Sequence, residues 1–99
     1  MPEHAAIIDV SRYYPSPGKR EELLDAMRTL ASSASSRPGC FGAQACESDQ
    51  DGETLVAISR WESEQAMEDF ADAPDFVQER ERLASLLARP AAREHFRPR

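Results

Sequence analysis

The hydrophobic pattern of the chain changes period several times, and the order of these periods restricts the fold more than any other feature. Residues 5–14 are rich in β-branched and aromatic types, which favour a strand. Two prolines and a glycine at 15–18 end it. From Lys19 to about residue 36, apolar residues recur every three or four positions between charged ones, which predicts an amphipathic helix.

The rest of the chain also divides into predicted strands and helices separated by polar or proline-containing breaks. Residues 40–47 predict a second strand, and a polar loop containing Asp51-Gly52 leads into a third strand over residues 54–61. Ser63 is placed to cap a short helix through residue 70, and a break at 72–74 starts another helix that ends at Arg89-Pro90. Residues 91–96 predict a last strand. On the second of these helices we expect one apolar stripe that comprises Phe76, Val77, Arg80, Leu83, Ala84 and Leu87.

The order β-α-β-β-α-β predicts an α+β, ferredoxin-like fold, with one antiparallel sheet and helices on one face. Apolar residues occupy both parities of the strands at 5–14 and 54–61, so the second face of the sheet also needs a cover. The simplest cover is another copy of the chain. We therefore predict a two-fold homodimer whose sheets pack face to face.

Composition narrows the class of protein. The 99 residues fit one domain, and 18 acidic against 12 basic side chains give a net charge of −6. That balance argues against nucleic acid as a partner, which favours basic surfaces. The longest apolar runs are four residues, far short of the roughly 20 needed to span a membrane, and the first residues lack the pattern of an export signal. We predict a soluble cytoplasmic protein with no membrane partner.

The chain shows no motif for a metal or a dinucleotide. Cys40 and Cys46 are too few for a closed zinc site, and six residues apart on one strand they lie about 20 Å from each other, too far for a disulfide. His4 and His95 lie near opposite ends of the chain. No glycine-rich dinucleotide fingerprint occurs.

Three short motifs resemble those of the antibiotic biosynthesis monooxygenase family, the dimeric α+β barrels. They are Pro17-Gly18 after the first strand, Pro38-Gly39-Cys40 before the second, and Trp61-Glu62-Ser63-Glu64-Gln65-Ala66 after the third. The resemblance covers residues 5–96 and implies one family domain over residues 1–99. Members include cofactor-free oxygenases that turn anthrones or hydroquinones into quinones, haem-degrading enzymes, and many proteins of unknown activity.

The resemblance implies an enzyme of the cofactor-independent monooxygenase type, acting with O₂ on a small aromatic phenol, hydroquinone or anthrone. Such chemistry uses no flavin or metal, because a deprotonated electron-rich phenol reduces O₂ itself. The protein supplies positioning, stabilisation of the phenolate and exclusion of water. Two alternatives stay open: a non-catalytic barrel that binds a small aromatic ligand, and a non-oxidative isomerase or cyclase on the same scaffold.

The family's working residues carry over only in part. In the actinorhodin-pathway branch they are a Trp, an Asn four residues before it, a Tyr six after it and an Arg on the following helix. The Trp is Trp61 and the Arg aligns with Arg80, but the Asn and Tyr positions hold Ala57 and Met67. The resemblance thus implies that Trp61 stacks on the substrate and Arg80 stabilises the phenolate. The Asn, Trp and His of the haem degraders read Ser11, Phe70 and Arg80 here, which argues against haem degradation.

The remaining candidates have structural alternatives. Met67, Phe70 and Phe76 are either core or the apolar wall of a substrate pocket, and Trp61 is either a core anchor or such a wall. Arg80, on an apolar stripe, pairs with a carboxylate, reaches water or faces an anionic ligand.

Polar residues on the strands complete the set of candidates. Ser11, Ser59 and Tyr13 are possible hydrogen-bonding groups for a substrate hydroxyl, with packing as the alternative for Tyr13 and Tyr14. Asp9 is a general-base candidate if it is buried and its pKa is raised. His95 is a base or an exposed residue of a basic tail that includes Arg93, and we expect that tail to be solvated or to contact the second copy.

Overall fold

The computed structural model describes residues 5–99, so His4 and the start of the chain examined for an export signal lie outside the described residues. The elements are β1 (Ile7–Tyr13), α1 (Arg20–Ser35), β2 (Cys40–Glu47), β3 (Leu55–Trp61), α2 (Glu64–Ala71), a 3₁₀ turn (Pro74–Phe76), α3 (Val77–Ser85) and β4 (Ala92–Phe96). Within the described residues the strands form one antiparallel sheet in the order β2-β3-β1-β4. The predicted ferredoxin-like α+β fold is confirmed.

The register of the sheet assigns side chains to its two faces. In β1, residues 7, 9, 11 and 13 pair with residues 61, 59, 57 and 55 of β3, and these positions make up the covered face, which lies under the helices. Residues 8, 10 and 12 of β1, with 56, 58 and 60 of β3, make up the open face. The helices cover only one face, as the sequence predicts.

The core between the covered face and the helices has two parts. One is built around α1 and α3, and consists of Leu23, Leu24, Ala26, Met27, Leu55, Leu83 and Leu86. The other joins the sheet to the end of α1 and to α2, and consists of Ile7, Ala34, Trp61 and Met67. Trp61, only 1% exposed, is the largest of the fully buried side chains.

Two local features hold α2 against the start of β2. The Ser63 hydroxyl accepts a hydrogen bond from the Ala66 N–H at 3.1 Å, which confirms the predicted cap. Gly39 has φ +84°, and a Cβ there would lie 2.8 Å from the Ala66 Cβ and 2.9 Å from Glu62 Oε1. The close approach of α2 thus depends on the missing side chain of Gly39.

The last helix differs from the prediction, because α3 ends at Ser85 rather than at Arg89. The segment that follows it pairs with the chain after β1: the Ala88 N–H donates to the Tyr14 carbonyl at 2.7 Å, and the Ser16 N–H donates to the Leu86 carbonyl at 2.9 Å. These backbone partners replace the bonds that a longer helix would make.

The predicted apolar stripe of α3 is also partly wrong. Val77 is 40% exposed and Ala84 is exposed, whereas Leu86, outside the predicted stripe, is buried. Leu83 and Leu86, which face the core, are three positions apart, so the buried side of this segment is rotated away from the side that carries Val77 and Ala84.

The open face has no helix over it. Ile8 and Val10 of β1 are half-buried there, as are Val56 and Ile58 of β3. Phe96 pairs with Ile8 on β4 and is 44% exposed. None of the helices described over residues 5–99 is long and apolar enough to cross a membrane.

Candidate functional site

A cavity of about 360 Å³ lies between the covered face and the three helices. Seven of the eight site residues predicted from sequence line it: Ser11, Tyr13, Ala57, Trp61, Met67, Phe70 and Arg80. Phe76 does not line the cavity but packs against Phe70, with ring centroids 5.1 Å apart. The structure therefore brings the predicted residues together in one place, while their roles stay predictions.

Trp61 belongs to the core and to the cavity wall at once. Its indole N–H donates to the Ser59 hydroxyl at 2.8 Å, and its ring stacks on Phe70 with centroids 5.7 Å apart and an interplanar angle of 29°. The two interpretations of Trp61 from sequence, core anchor and pocket wall, are therefore compatible. A fixed aromatic wall suits a flat ligand.

Arg80 reaches the cavity from α3 without a carboxylate partner. Its Nη2 donates to the Ala73 carbonyl at 2.9 Å, and its Nη1 is buried with no hydrogen-bond partner. Among residues 5–99, no Asp or Glu lies within ion-pair distance of Arg80, so pairing with a carboxylate is not observed. Among the described residues, the other unpartnered buried side-chain atom is Oε2 of Glu79, which does not line the cavity.

The unpartnered Nη1 of Arg80 favours the binding of a ligand oxygen. A buried guanidinium N–H without an acceptor costs free energy, because it has lost its water and gained nothing in return. An oxygen of a bound ligand would supply that acceptor, and a charged oxygen would supply it best. The cavity is otherwise mainly apolar, so the Arg80 side chain provides an unused positive donor in it.

Sequence reasoning missed the contribution of β4. Arg93 lines the cavity, and its Nε and Nη2 donate to the two carboxylate oxygens of Asp9, each at 2.9 Å. Pairing with Asp9 raises the pKa of Arg93, which stays charged. Arg93 is exposed, as a solvated tail predicts, with its side chain 44% exposed, but it also pairs with Asp9, which the sequence did not indicate. The missing signal was the register, since Arg93 faces Ser11 across the β1–β4 pair.

Asp9 itself is largely buried. Its side chain is 15% exposed and lines the cavity. His95, directly opposite Asp9 on β4, places its Nε2 3.4 Å from the Asp9 Oδ1. Asp9, His95 and Arg93 therefore form one cross-strand cluster at the edge of the cavity.

Tyr13 continues the polar side of the cavity along β1. Burial raises the pKa of the Tyr13 phenol; the Ser11 hydroxyl lowers it, the negative charge of Asp9 raises it, and Arg93 lowers it. The net effect keeps the phenol protonated at neutral pH, so Tyr13 remains a hydrogen-bond donor. Ser11, the buried polar residue of the covered face, lies between Asp9 and Tyr13 on the same face.

In the described part of the chain, the cysteines and the acidic residues form no disulfide and no metal-binding cluster. Cys40 and Cys46 are free thiols, as their spacing predicts, and burial raises the pKa of the Cys40 thiol. Over residues 5–99, no three His, Cys, Asp or Glu side chains are grouped so as to hold a metal ion.

Comparison with known proteins gives a family match for most of the chain. The family model described as "Antibiotic biosynthesis monooxygenase" matches residues 6–82. This range includes Trp61 and Arg80 but not β4, so Arg93 and His95 lie beyond the match. A search of curated proteins found no match.

Solved structures share the fold over nearly their full length. The chain is similar to Rv0793 from Mycobacterium tuberculosis, with 26% identity, 93% of each chain covered and a TM-score of 0.84. It is also similar to a conserved protein from Methanosarcina mazei, with 18% identity, 96% and 94% of the two chains covered, and a TM-score of 0.88. A variant of SnoaB, a cofactor-independent oxygenase from Streptomyces nogalater, has 19% identity, 94% and 92% coverage, and a TM-score of 0.83.

Proposed function

Because the chain belongs to the antibiotic biosynthesis monooxygenase family, we propose that it is a cofactor-independent monooxygenase that oxidises a small aromatic phenol, hydroquinone or anthrone with O₂. The observation that carries this proposal is the buried, unpartnered Nη1 of Arg80 in a cavity walled by Trp61 and Phe70. A planar ring fits against the aromatic wall, and a phenolate oxygen on that ring fits Arg80.

In the proposed reaction the substrate provides all of the reducing electrons. Arg80 favours the phenolate over the phenol, and the phenolate passes electrons to O₂ held beside it. For an anthrone, one oxygen atom becomes the new carbonyl oxygen and the other leaves as water, together with the two hydrogens lost from the ring carbon. The apolar lining excludes bulk water from the oxygen intermediate.

We also propose that the protein acts as a homodimer, with the open face as its interface. The central strands present Ile8, Val10, Val56 and Ile58 on that face, and no element of the described chain covers them. Burying such a surface against a second copy follows from the hydrophobic effect. The cavity lies on the other side of the sheet, so each subunit would keep its own cavity.

Oxygen uptake tests the proposed activity. Purified protein is mixed with a panel of anthrones and hydroquinones, with no cofactor added and with protein-free autoxidation as the blank. We expect uptake above the blank, and we expect Arg80→Ala to lower kcat/KM by about 10²–10³, the effect of removing one oxyanion donor. Arg28→Ala is the matched control, because Arg28 lies exposed on α1. An Arg80→Ala rate equal to that of Arg28→Ala would refute the role of Arg80.

The second candidate function is non-catalytic binding of the same class of ligand. It is favoured by Ala57 and Met67, which line the cavity at positions where the oxygenases hold Asn and Tyr. Quenching of Trp61 fluorescence by a panel member, without any uptake of O₂ above the blank, would favour this binder over the oxygenase.

A further inference from the structure

The carboxylate of Asp9 has an acceptor site that none of the described residues uses. A carboxylate offers about four lone-pair sites, two on each oxygen. Arg93 takes one on each oxygen, and the His95 nitrogen lies 3.4 Å from Oδ1. Oδ2 has no other partner among the described residues, and Asp9 lines the cavity.

The neighbours of Asp9 on the covered face are hydroxyl groups. Ser11 and Tyr13 follow it at every second position of β1, so all three side chains point to the same side of the sheet. All three line the cavity, and the pKa of Tyr13 is raised, so its phenol stays protonated. The sheet side of the cavity therefore combines one anionic acceptor with two hydroxyl groups that both donate and accept.

Arg93 keeps this arrangement ready for a ligand. The bidentate pair fixes the rotamer of Asp9 and offsets its charge, which lowers the cost of holding a carboxylate in a largely apolar cavity. Arg80 approaches the same cavity from α3, on the helix side. The two polar parts of the cavity thus have opposite preferences: Arg80 donates to an oxygen, and Asp9 accepts from a hydroxyl.

We propose that Asp9 is a specificity-determining residue that binds a hydroxyl group of the ligand, so that the cavity selects aromatic molecules with two oxygen substituents, one for Arg80 and a free hydroxyl for Asp9. The aromatic nature of the ligand rests on the function proposed above. The preference for a second, unblocked hydroxyl rests on Asp9 and its neighbours alone.

Binding without O₂ tests this proposal separately from activity. A dihydroxynaphthalene and its monomethyl ether are titrated anaerobically against the protein, with Trp61 fluorescence as the signal. The ether keeps the ring and both oxygens but loses one donor. A hydrogen bond to a charged group corresponds to about a tenfold or greater preference for the free dihydroxy compound. We expect Asp9→Asn to reduce this preference to about twofold or less.

Two further variants separate recognition from a structural role. Asp25→Asn removes an exposed Asp that also has an arginine neighbour, Arg28 at 3.7 Å, and is expected to keep the full preference. Arg93→Gln removes the guanidinium that orients the Asp9 carboxylate, and is expected to lower the preference for the free dihydroxy compound as well as the melting temperature. It therefore tests the proposal if Asp9→Asn does not fold.

The outcomes are distinct. If Asp9→Asn lowers the melting temperature and leaves the ratio of the two affinities unchanged, Asp9 is only a structural clamp and the proposal is overturned. A wild-type protein that binds both compounds equally, or neither, also overturns it. Selective binding with no uptake of O₂ supports the role of Asp9 and counts against the proposed oxygenase activity. Uptake of O₂ without selective binding supports the oxygenase activity and counts against the role of Asp9.

Discussion

The covered face and the open face of the sheet are both mixed: the covered face combines buried Ile7 and Trp61 with polar residues, and the open face has apolar residues with no helix over them. Along β1, the polar side chains of Asp9, Ser11 and Tyr13 point toward the helices, and the apolar Ile8 and Val10 point away from them. A soluble antiparallel sheet usually places its apolar residues against the helices and its polar ones outside. The polar residues of the covered face indicate a polar site beside the core, and the apolar residues of the open face support the proposed interface with a second copy.

Two ion pairs between β1 and β4, one on each face of the sheet, allow the two faces to be compared directly. Arg93 and Asp9 pair on the covered face, where the Asp9 side chain is 15% exposed. Arg12 and Glu94 pair on the open face at 2.8 Å, with side chains 42% and 54% exposed. Exposed pairs contribute at most about 1 kcal/mol, because water screens them. The two arginines are similarly exposed, since the Arg93 side chain is 44% exposed, so the difference lies in the carboxylate: Asp9 is largely buried and lines the cavity, and is therefore available to a ligand.

Replacing a large aromatic side chain on each face should reveal the largest difference in stability between the two faces. Trp61→Ala on the covered face removes a buried indole, and we expect it to lower the free energy of unfolding by about 3–5 kcal/mol. Phe96→Ala on the open face should cost much less, since Phe96 is 44% exposed. Urea unfolding followed by circular dichroism measures both, and equal losses would contradict the assignment of the faces.

A charge on the open face should act on association rather than on the cavity. We expect Val10→Lys to weaken dimerisation about 100-fold or more, because a two-fold interface receives the charge twice. Gln78→Lys, on the exposed surface of α3, adds the same charge and should leave the dimer intact. Sedimentation velocity provides the comparison; a wild-type chain that sediments as a monomer at high concentration would rule out the interface.

A substitution at Gly39, where α2 packs closely on the start of β2, should have a smaller effect on stability. Gly39 and Gly18 both have positive φ, at +84° and +78°, but a Cβ would meet other atoms within 4 Å only at Gly39. We expect Gly39→Ala to lower the free energy of unfolding by about 1–3 kcal/mol more than Gly18→Ala. Thermal unfolding of the two variants measures the difference. Equal melting temperatures would show that α2 moves aside freely.

The smallest expected effect is a dependence of stability on alkaline pH. Because burial raises the pKa of Tyr13 in the folded state above its ordinary value of 10.0, folding favours the protonated phenol. This contribution is fully present below about pH 10 and is lost as the pH rises through the raised pKa. Tyr13→Phe should therefore lose stability less steeply than the wild type between pH 9 and 12. Parallel slopes would show that Tyr13 titrates as in the unfolded chain.

Local sequence patterns predict most of the fold, and the resemblance to the family supplies most of the candidate site residues. The strand periods, the Ser63 cap and the glycine and proline breaks are encoded within a few residues of where they act, and seven of the eight predicted site residues line the cavity. The early end of α3 and the position of Arg93 depend instead on partners 70 or more residues away in sequence. Spacing within a helix or strand contains no information on such distant partners.

The strand order β2-β3-β1-β4 also has a consequence for how the molecule folds. The Arg93–Asp9 pair joins residues 84 positions apart, and β1 cannot gain its second neighbour until β4 has left the ribosome. Contacts between such distant parts of a chain are slow to form, because the loop between them must close first. A nascent chain that ends before residue 92 would already contain β1, β2 and β3. It would still lack the arginine that holds Asp9, so the sheet side of the cavity is completed last.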